Sequence, residues 1–266
     1  MTDRYAVIGN PVSHSKSPWI HSEFARATRQ DLAYGVIEAP LDGFERVVDA
    51  FRAAGGCGAN VTLPFKQAAC RYCGSLSERA QAAGAVNTLV FGRGETHGDN
   101  TDGAGLVRDL TANLGVALAG SRVLLMGAGG AARGVIAPLL EAGVARLALA
   151  NRTAERARVL AAGFAATWGG GYGELHGAAF DLVVNATSAG LSGELPALPA
   201  GVFAAGALAY EMVYGRDTPF LAFARAAGAR IADGSGMLVE QAAESFLVWR
   251  GVRPETRAVL AALRTG

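Results

Sequence analysis

Along this chain, short branched apolar runs alternate with stretches whose apolar residues recur at helical spacing. Arg4 to Gly9, Tyr34 to Ala39, Ala59 to Leu63 and Ala85 to Val90 read as strands. Between them, Ile20, Phe24 and Ala27 fall on one face of a helix opened by Pro18, with Ser17 expected as its N-cap. Phe44, Val47, Val48 and Phe51 mark the inward face of a helix over 44–54. Gly92-Arg93-Gly94 is a turn, and from Ala104 to Leu114 helical spacing returns. The alternation then restarts with strands at Arg122–Met126, Leu147–Ala150, Phe180–Asn185, Ala207–Met212 and Arg230–Ala232. Helices are expected over Arg133–Ala142, after Thr218-Pro219, and at the end. There Leu238, Val239, Ala242, Ala243, Phe246 and Leu247 form a stripe with Gln241 off it. Alternating strands and helices predict an α/β fold with mostly parallel sheets. The pattern divides it into two α/β domains joined by the helix at 104–114, with a ligand cleft at the junction.

The first turn of the second domain carries chemistry. The apolar run Arg122–Met126 passes directly into Gly127-Ala128-Gly129-Gly130-Ala131-Ala132, then a helix, then a second strand. That is a Rossmann-like βαβ unit whose glycine-rich turn cradles a pyrophosphate at a helix N-terminus. Gly127 suits the tight turn, Gly129 the close approach to phosphates, and small Ala132 close helix–strand packing. The second strand ends in Asn151-Arg152-Thr153, with Arg156 one turn later. An NAD site places a carboxylate there for the ribose 2′-hydroxyl; these arginines instead suit a 2′-phosphate, so the expected cofactor is NADP.

Composition removes other classes. The chain has 266 residues, 51% hydrophobic and 18% charged, enough for one large or two modest cores. Lys plus Arg number 24 against 23 acids, so no global field favours nucleic acid or an anionic membrane. The N-terminus lacks a signal-peptide pattern, and no uncharged apolar run approaches the roughly 18 residues of a membrane span. A cytoplasmic protein is expected. Its cysteines are Cys57, Cys70 and Cys73; a lone C-x-x-C without a second pair or nearby histidine predicts no metal site, and half-buried helix residues rather than a redox pair.

Polar residues in the first domain gather at strand ends. The loop Ser13-His14-Ser15-Lys16-Ser17 offers three hydroxyls beside a helix start and suits a small carboxylate or polyol. Asn60, Thr62 and Lys66 lie at and beyond one strand end, and Asn87 sits in another strand. In the second domain, Asn185 to Gly190 is small and polar, as a loop passing under a cofactor would be.

Together these segments resemble the shikimate/quinate dehydrogenase family over the whole length. The carriers are Gly9-Asn10-Pro11 with Ser13 to Pro18, Asn60 to Lys66, Ala83 to Thr88, Gly98-Asp99-Asn100-Thr101-Asp102-Gly103 and Gly127 to Ala131. Further on come Asn151-Arg152-Thr153, Asn185-Ala186-Thr187-Ser188, Thr218 to Leu221 and Asp233-Gly234-Ser235-Gly236-Met237. Departures are small: Glu211 where aspartate is common, Ser235 where leucine is common, and Gly215-Arg216 where asparagine–proline is frequent.

The resemblance implies NADPH-dependent, reversible reduction of 3-dehydroshikimate to shikimate in chorismate and aromatic amino-acid biosynthesis. It implies a catalytic pair Lys66 and Asp102, with Ser15, Ser17 and Tyr214 on the substrate carboxylate and Asn60, Thr62, Asn87 and Gln241 on the ring hydroxyls. Asn151, Arg152, Thr153 and Arg156 would surround the 2′-phosphate; Thr187, Met212, Gly236 and Met237 would lie near the ribose and nicotinamide. Substrate binding and catalysis fall to 1–103, the cofactor to 104–236, and 237–266 returns to the first domain. Hydride transfer to a carbonyl needs one proton at oxygen; Lys66 or Asp102 can be its formal donor. A quinate/shikimate dehydrogenase with relaxed NAD/NADP use and a non-catalytic nucleotide sensor remain alternatives. The expected state is monomer or homodimer, with no nucleic-acid or membrane partner.

Overall fold

The computed structural model describes the chain except Met1, Arg93, Ser188 and Gly266, and except the side chains of Leu191 and Ser192. Arg93 of the expected turn and Ser188 of the expected loop thus lie outside the described residues. The chain divides into two compact units, Met1–Gly105 with Leu238–Gly266, and Leu106–Met237.

In the first unit the elements run β1 (Asp3–Gly9), α1 (Ser17–Thr28), β2 (Leu32–Glu38), α2 (Phe44–Ala53), β3 (Gly56–Val61), α3 (Lys66–Tyr72), β4 (Ser75–Leu76), α4 (Glu78–Ala83), β5 (Thr88–Phe91) and β6 (Thr96–Asp99). α5 (Asp102–Arg108) follows the last strand. The sheet order is β2-β1-β3-β5-β6-β4. β1 is parallel to β2 and β3, and β4 to β6, whereas β5 is antiparallel to both its neighbours. That reversal matters for the site. Asn60 pairs with Thr88 and Thr88 with Asp99, so residues 60, 87–88 and 99–102 come to one end of the sheet. Ile8, Phe44, Val48, Val61, Phe65 and Leu89 close one face.

The second unit contains β7 (Arg122–Met126), α6 (Gly130–Glu141), β8 (Arg146–Ala150), α7 (Ala154–Ala161), β9 (Thr167–Gly170), β10 (Phe180–Asn185), α8 (Ala189–Ser192), β11 (Phe203–Glu211), α9 (Pro219–Ala226) and β12 (Arg230–Asp233). Its six strands are all parallel, in the order β12-β11-β10-β7-β8-β9. This is the doubly wound order, whose direction of winding reverses between β7 and β10, where such sheets bind ligands at their carboxyl ends. The central strands are nearly all apolar because both faces are covered by core.

α10 (Ser235–Arg250) and α11 (Arg257–Thr265) complete the chain. Val239, Ala242, Ala243 and Phe246 of α10 pack with Ile20 and Phe24 of α1 and Val259 and Leu260 of α11. Each large apolar side chain so buried contributes roughly 1.5–3 kcal/mol of transfer free energy. That seam fixes the residues carried on α10, Gln241 among them, to the first unit.

Several boundaries differ from the sequence expectation. The strand expected over 59–63 runs Gly56–Val61, and that over 85–90 starts only at Thr88, so Asn87 precedes it. The helix expected from Arg133 begins at Gly130, because close strand–helix packing overrides the poor helix propensity of glycine. The expected helix over 104–114 is α5 followed by a π-helical turn, Asp109–Asn113. β9, Thr-Trp-Gly-Gly, has no apolar run, and only its pairing with β8 makes it a strand.

Candidate active site

Lys66 is the first residue of α3 and Asp102 the first of α5. The amine Nζ donates to Asp102 Oδ2 at 2.5 Å, with side-chain exposures of 14% and 5%. The Lys66 backbone carbonyl accepts the Val86 N–H at 2.9 Å, tying the helix start to the segment that leads to Asn87. The Asp102 N–H donates to Asn100 Oδ1, and Asn100 itself donates to the Ala85 carbonyl. Loop-internal bonds therefore hold the carboxylate in place before any ligand arrives. A nearly dry ion pair keeps its geometry because losing either member leaves the other charge uncompensated.

Asn87 connects this pair to the rest. Its Nδ2 donates to Asp102 Oδ1 at 2.9 Å and lies 2.9 Å from Thr101 Oγ1 and 3.3 Å from Gln241 Oε1. Gln241 reaches it from α10, which approaches α5 closely at Gly105, where a Cβ would stand 2.7 Å from that of Gln241. Asn60 is buried, and its amide is engaged within the protein. Nδ2 donates to the Asn87 carbonyl and Ser245 Oγ, while Oδ1 accepts the Tyr34 hydroxyl at 2.7 Å. In this structure Asn60 holds its neighbours.

Ser17 does not cap α1, contrary to the sequence expectation. The capping position is Lys16, without a side-chain bond, and Ser15 Oγ accepts the Ser17 N–H at 3.2 Å. The chain turns one residue earlier, so the Ser17 hydroxyl has no capping duty. Thr62 is half-buried in the turn between β3 and α3, where its carbonyl accepts the Phe65 N–H. Tyr214 lies in the second unit, just beyond β11, and is half-buried.

In the second unit, Gly127 has φ +110°, a region that disfavours side chains, and a Cβ on it would stand 3.1 Å from the Ala186 carbonyl oxygen. It sits where β7 ends, against the loop leaving β10. At Gly129 a Cβ would meet nothing within 4 Å. α6 starts immediately after it with no side-chain cap, leaving first-turn N–H groups for an anion. Arg133 Nε is a buried donor with no hydrogen-bond partner, one turn further on. An open cradle, uncapped amides and an orphaned guanidinium nitrogen fit a pyrophosphate. Ala128 and Ala131 line the same turn and are half-buried.

At the end of β8, Asn151 Nδ2 donates to the Thr153 carbonyl and shapes the turn. Arg152, 89% exposed, stands 4.0 Å from Glu194, and Arg156 is exposed. Both guanidiniums can take up a phosphate. Thr187 donates to Asn185 Oδ1 at 2.7 Å, and Asn185 Nδ2 donates to Glu211 Oε2 at 2.8 Å. Buried Glu211 also accepts from Thr218 and the Val213 N–H; burial pushes its carboxyl above the usual range. It ties the loop carrying Thr187 to the one carrying Met212, whose N–H donates to the Asn185 carbonyl. A Cβ at Gly236 would lie 1.9 Å from Asp109 Oδ1, so this position requires glycine. The Met237 N–H donates to the Tyr210 hydroxyl, which in turn donates to Asp109 Oδ2 at 2.7 Å.

Three groups escaped the sequence reading. Thr88 and Thr101 lay inside quoted segments without an assigned role, and Ser245 carried one signal, its i+4 spacing from Gln241. Cys70 and Cys73 are half-buried, one in α3 and one capping it, and burial pushes the Cys73 thiol up to about 12, far from a thiolate nucleophile. Among the described residues no cluster of three or more His, Cys, Asp or Glu could hold a metal, and no helix is long and apolar enough to cross a membrane.

A doubly wound nucleotide-binding sheet and a second α/β unit presenting a buried amine–carboxylate pair define a dehydrogenase-type protein of two α/β units. Comparison with known proteins narrows the class. Residues 7–89 match the family described as "Shikimate dehydrogenase substrate binding domain", 109–191 "Shikimate / quinate 5-dehydrogenase", and 234–264 "Shikimate 5'-dehydrogenase C-terminal domain". Proteins named shikimate dehydrogenase (NADP(+)) from Nitrosospira multiformis and Dechloromonas aromatica are each 61% identical, covering 100% and 99% of this chain and 98% of their own length. A crystal structure of an Ael1 enzyme from Pseudomonas putida superposes with TM-score 0.93 at 53% identity, covering 98% of both chains. That of the Thermus thermophilus shikimate 5-dehydrogenase, in complex with NADP(H) and shikimate, gives 0.89 at 35% identity and 99% of both. The chain belongs to the shikimate dehydrogenase family.

Proposed function

We propose that this chain is an NADP-dependent shikimate dehydrogenase, reducing 3-dehydroshikimate to shikimate reversibly in the route to chorismate and the aromatic amino acids. It works in the cytoplasm as a monomer or homodimer. Residues 1–103 with the returning 237–266 take the substrate, and 104–236 take the cofactor. The observation that carries this reading is the 2.5 Å Lys66–Asp102 pair, braced by Asn87. When bound, NADP supplies or accepts the two electrons and the hydrogen at carbon.

The chain's own residues manage the proton and the orientation. Lys66 donates a proton to the ketone oxygen as negative charge builds there, and in the oxidative direction takes it back. Asp102 accepts from the amine on Oδ2, which aims Nζ, and from Asn87 on Oδ1, which aims the carboxylate. Ser15 and Ser17 hold the substrate carboxylate; Asn60, Thr62, Asn87 and Gln241 hold the hydroxyl side of the ring. Gly127 to Ala131 receive the pyrophosphate and Asn151, Arg152, Thr153 and Arg156 the 2′-phosphate, while Thr187, Met212, Gly236 and Met237 shape the nicotinamide end. The test is a four-way assay of shikimate and quinate, each with NADP and with NAD. Fastest turnover with shikimate and NADP is expected. Comparable rates with quinate or NAD would support the relaxed relative, and NADP binding without oxidation of either alcohol would support a sensor.

A further inference from the structure

Ser245 belongs to no motif, yet it is fully buried at a crossing point of the site. α10 carries it one helical turn beyond Gln241, on the same face. Its Oγ lies 3.0 Å from Asn60 Nδ2, 2.8 Å from Thr88 Oγ1, 3.1 Å from Thr101 Oγ1 and 3.1 Å from the Gln241 carbonyl oxygen. Thr88 and Thr101 are also completely buried, so water cannot replace a missing partner.

Proton counting gives these bonds a direction. The Thr101 N–H can only donate, and it points to Asn87 Oδ1 at 2.9 Å; an ionised Asp102 can only accept, and it faces Asn87 Nδ2 at 2.9 Å. Both constraints orient the Asn87 amide the same way. The Thr88 hydroxyl donates to Asn87 Oδ1 at 2.8 Å and has no second proton, so at its 2.8 Å contact with Ser245 it accepts. Ser245 thus gives its proton to Thr88, with the Gln241 carbonyl as a longer second acceptor, and receives Asn60 Nδ2. The sequence of donors runs Asn60 to Ser245 to Thr88 to Asn87, and ends at the Asp102 carboxylate. A flipped Asn87 amide would set its oxygen against that carboxylate and its Nδ2 against the Thr101 N–H; with the amide so oriented, the hydroxyl chain adds a second donor that holds Oδ1 in place.

We propose that Ser245 is a positioning residue for substrate binding, acting through Thr88 to fix the Asn87 amide. The proposal rests on the reading of Asn87, Asp102 and Gln241 as substrate machinery. Ser245→Ala removes the proton that Thr88 accepts and frees that hydroxyl to turn away from Asn87. By calorimetry, shikimate Kd should rise about five- to tenfold, the size of one buried hydrogen bond, with a matching rise in KM and a smaller fall in kcat. NADPH Kd should stay within about twofold, because no bond of this chain touches the cofactor residues. Thr88→Val, nearly isosteric, should reproduce the effect and keeps the test open if the serine variant folds poorly. The double variant should be no worse than either single one, because both cut the same path. Unchanged shikimate Kd in the folded single variants, additive losses in the double, or a parallel loss of NADPH affinity would each overturn the positioning role. A wild-type protein that fails to bind or oxidise shikimate would instead overturn the functional reading itself.

Discussion

Replacing Lys66 by alanine probes the proposed chemistry most directly. The amine stands 2.5 Å from Asp102 with 14% of its side chain exposed, and it is the cationic donor of that pair. A positioned acid–base group supplies about 10²–10⁴ in rate, or roughly 3–5 kcal/mol of barrier. Lys66 also places charge against the developing oxyanion, so the upper half of that range applies, and kcat should fall about 10³–10⁴-fold. Shikimate KM should change only modestly, because the carboxylate and ring-hydroxyl contacts stay in place. Breaking a buried pair can cost up to about 3–5 kcal/mol of stability. Asp102 keeps its bond from Asn87, which limits that loss. The assay is NADPH formation from shikimate followed by absorbance, beside a thermal melt of the same sample. Turnover within an order of magnitude of wild type in a folded Lys66→Ala protein would remove the amine from the mechanism.

Three other perturbations test other links. Arg152→Ala should raise the NADPH KM about ten- to a hundredfold, the worth of one charged hydrogen bond at roughly 1.5–3 kcal/mol, and leave NADH use nearly unchanged; equal effects on both cofactors would exclude a 2′-phosphate contact. Gly129→Ala should melt as wild type, because its Cβ enters open space, yet lose NADPH affinity; Gly127→Ala should lose stability by about 1–2 kcal/mol from its left-handed backbone. A Gly129→Ala protein that binds NADPH normally would place the pyrophosphate elsewhere. Buried His21, stacked on Tyr34 at 4.2 Å, has its imidazole pushed down to about 3 by burial. Its folded value is depressed, so its neutral form contributes stability that is full above pH 6.5 and is lost as pH falls toward about 3. His21→Phe should flatten the urea midpoint across that window, and a midpoint that still falls as steeply would assign the acid sensitivity to other groups.

Periodicity and spacing alone determined a good deal of this protein. Buried parallel strands must read as apolar runs, so Arg122–Met126 and Phe180–Asn185 were visible with their ends in place. The glycine-rich turn and Asn151-Arg152-Thr153 were visible because the phosphate-binding role proposed for them is a local one, built from one turn and the end of the next strand. Tertiary structure decided what depends on partners distant in sequence. β9 has no apolar signal and exists because β8 offers it an edge. The Ser17 hydroxyl stands outside the cap, against the expectation from its place before Pro18, because the helix is entered one residue earlier, at Lys16. The meeting of Lys66, Asn87, Asp102, Gln241 and Ser245 depends on an antiparallel β5 and on α10 packing through Phe246 against α1. A hydroxyl carries no pattern of its own, so Ser245 acquired its place only when the fold brought Asn60, Thr88 and Thr101 within hydrogen-bond reach of it.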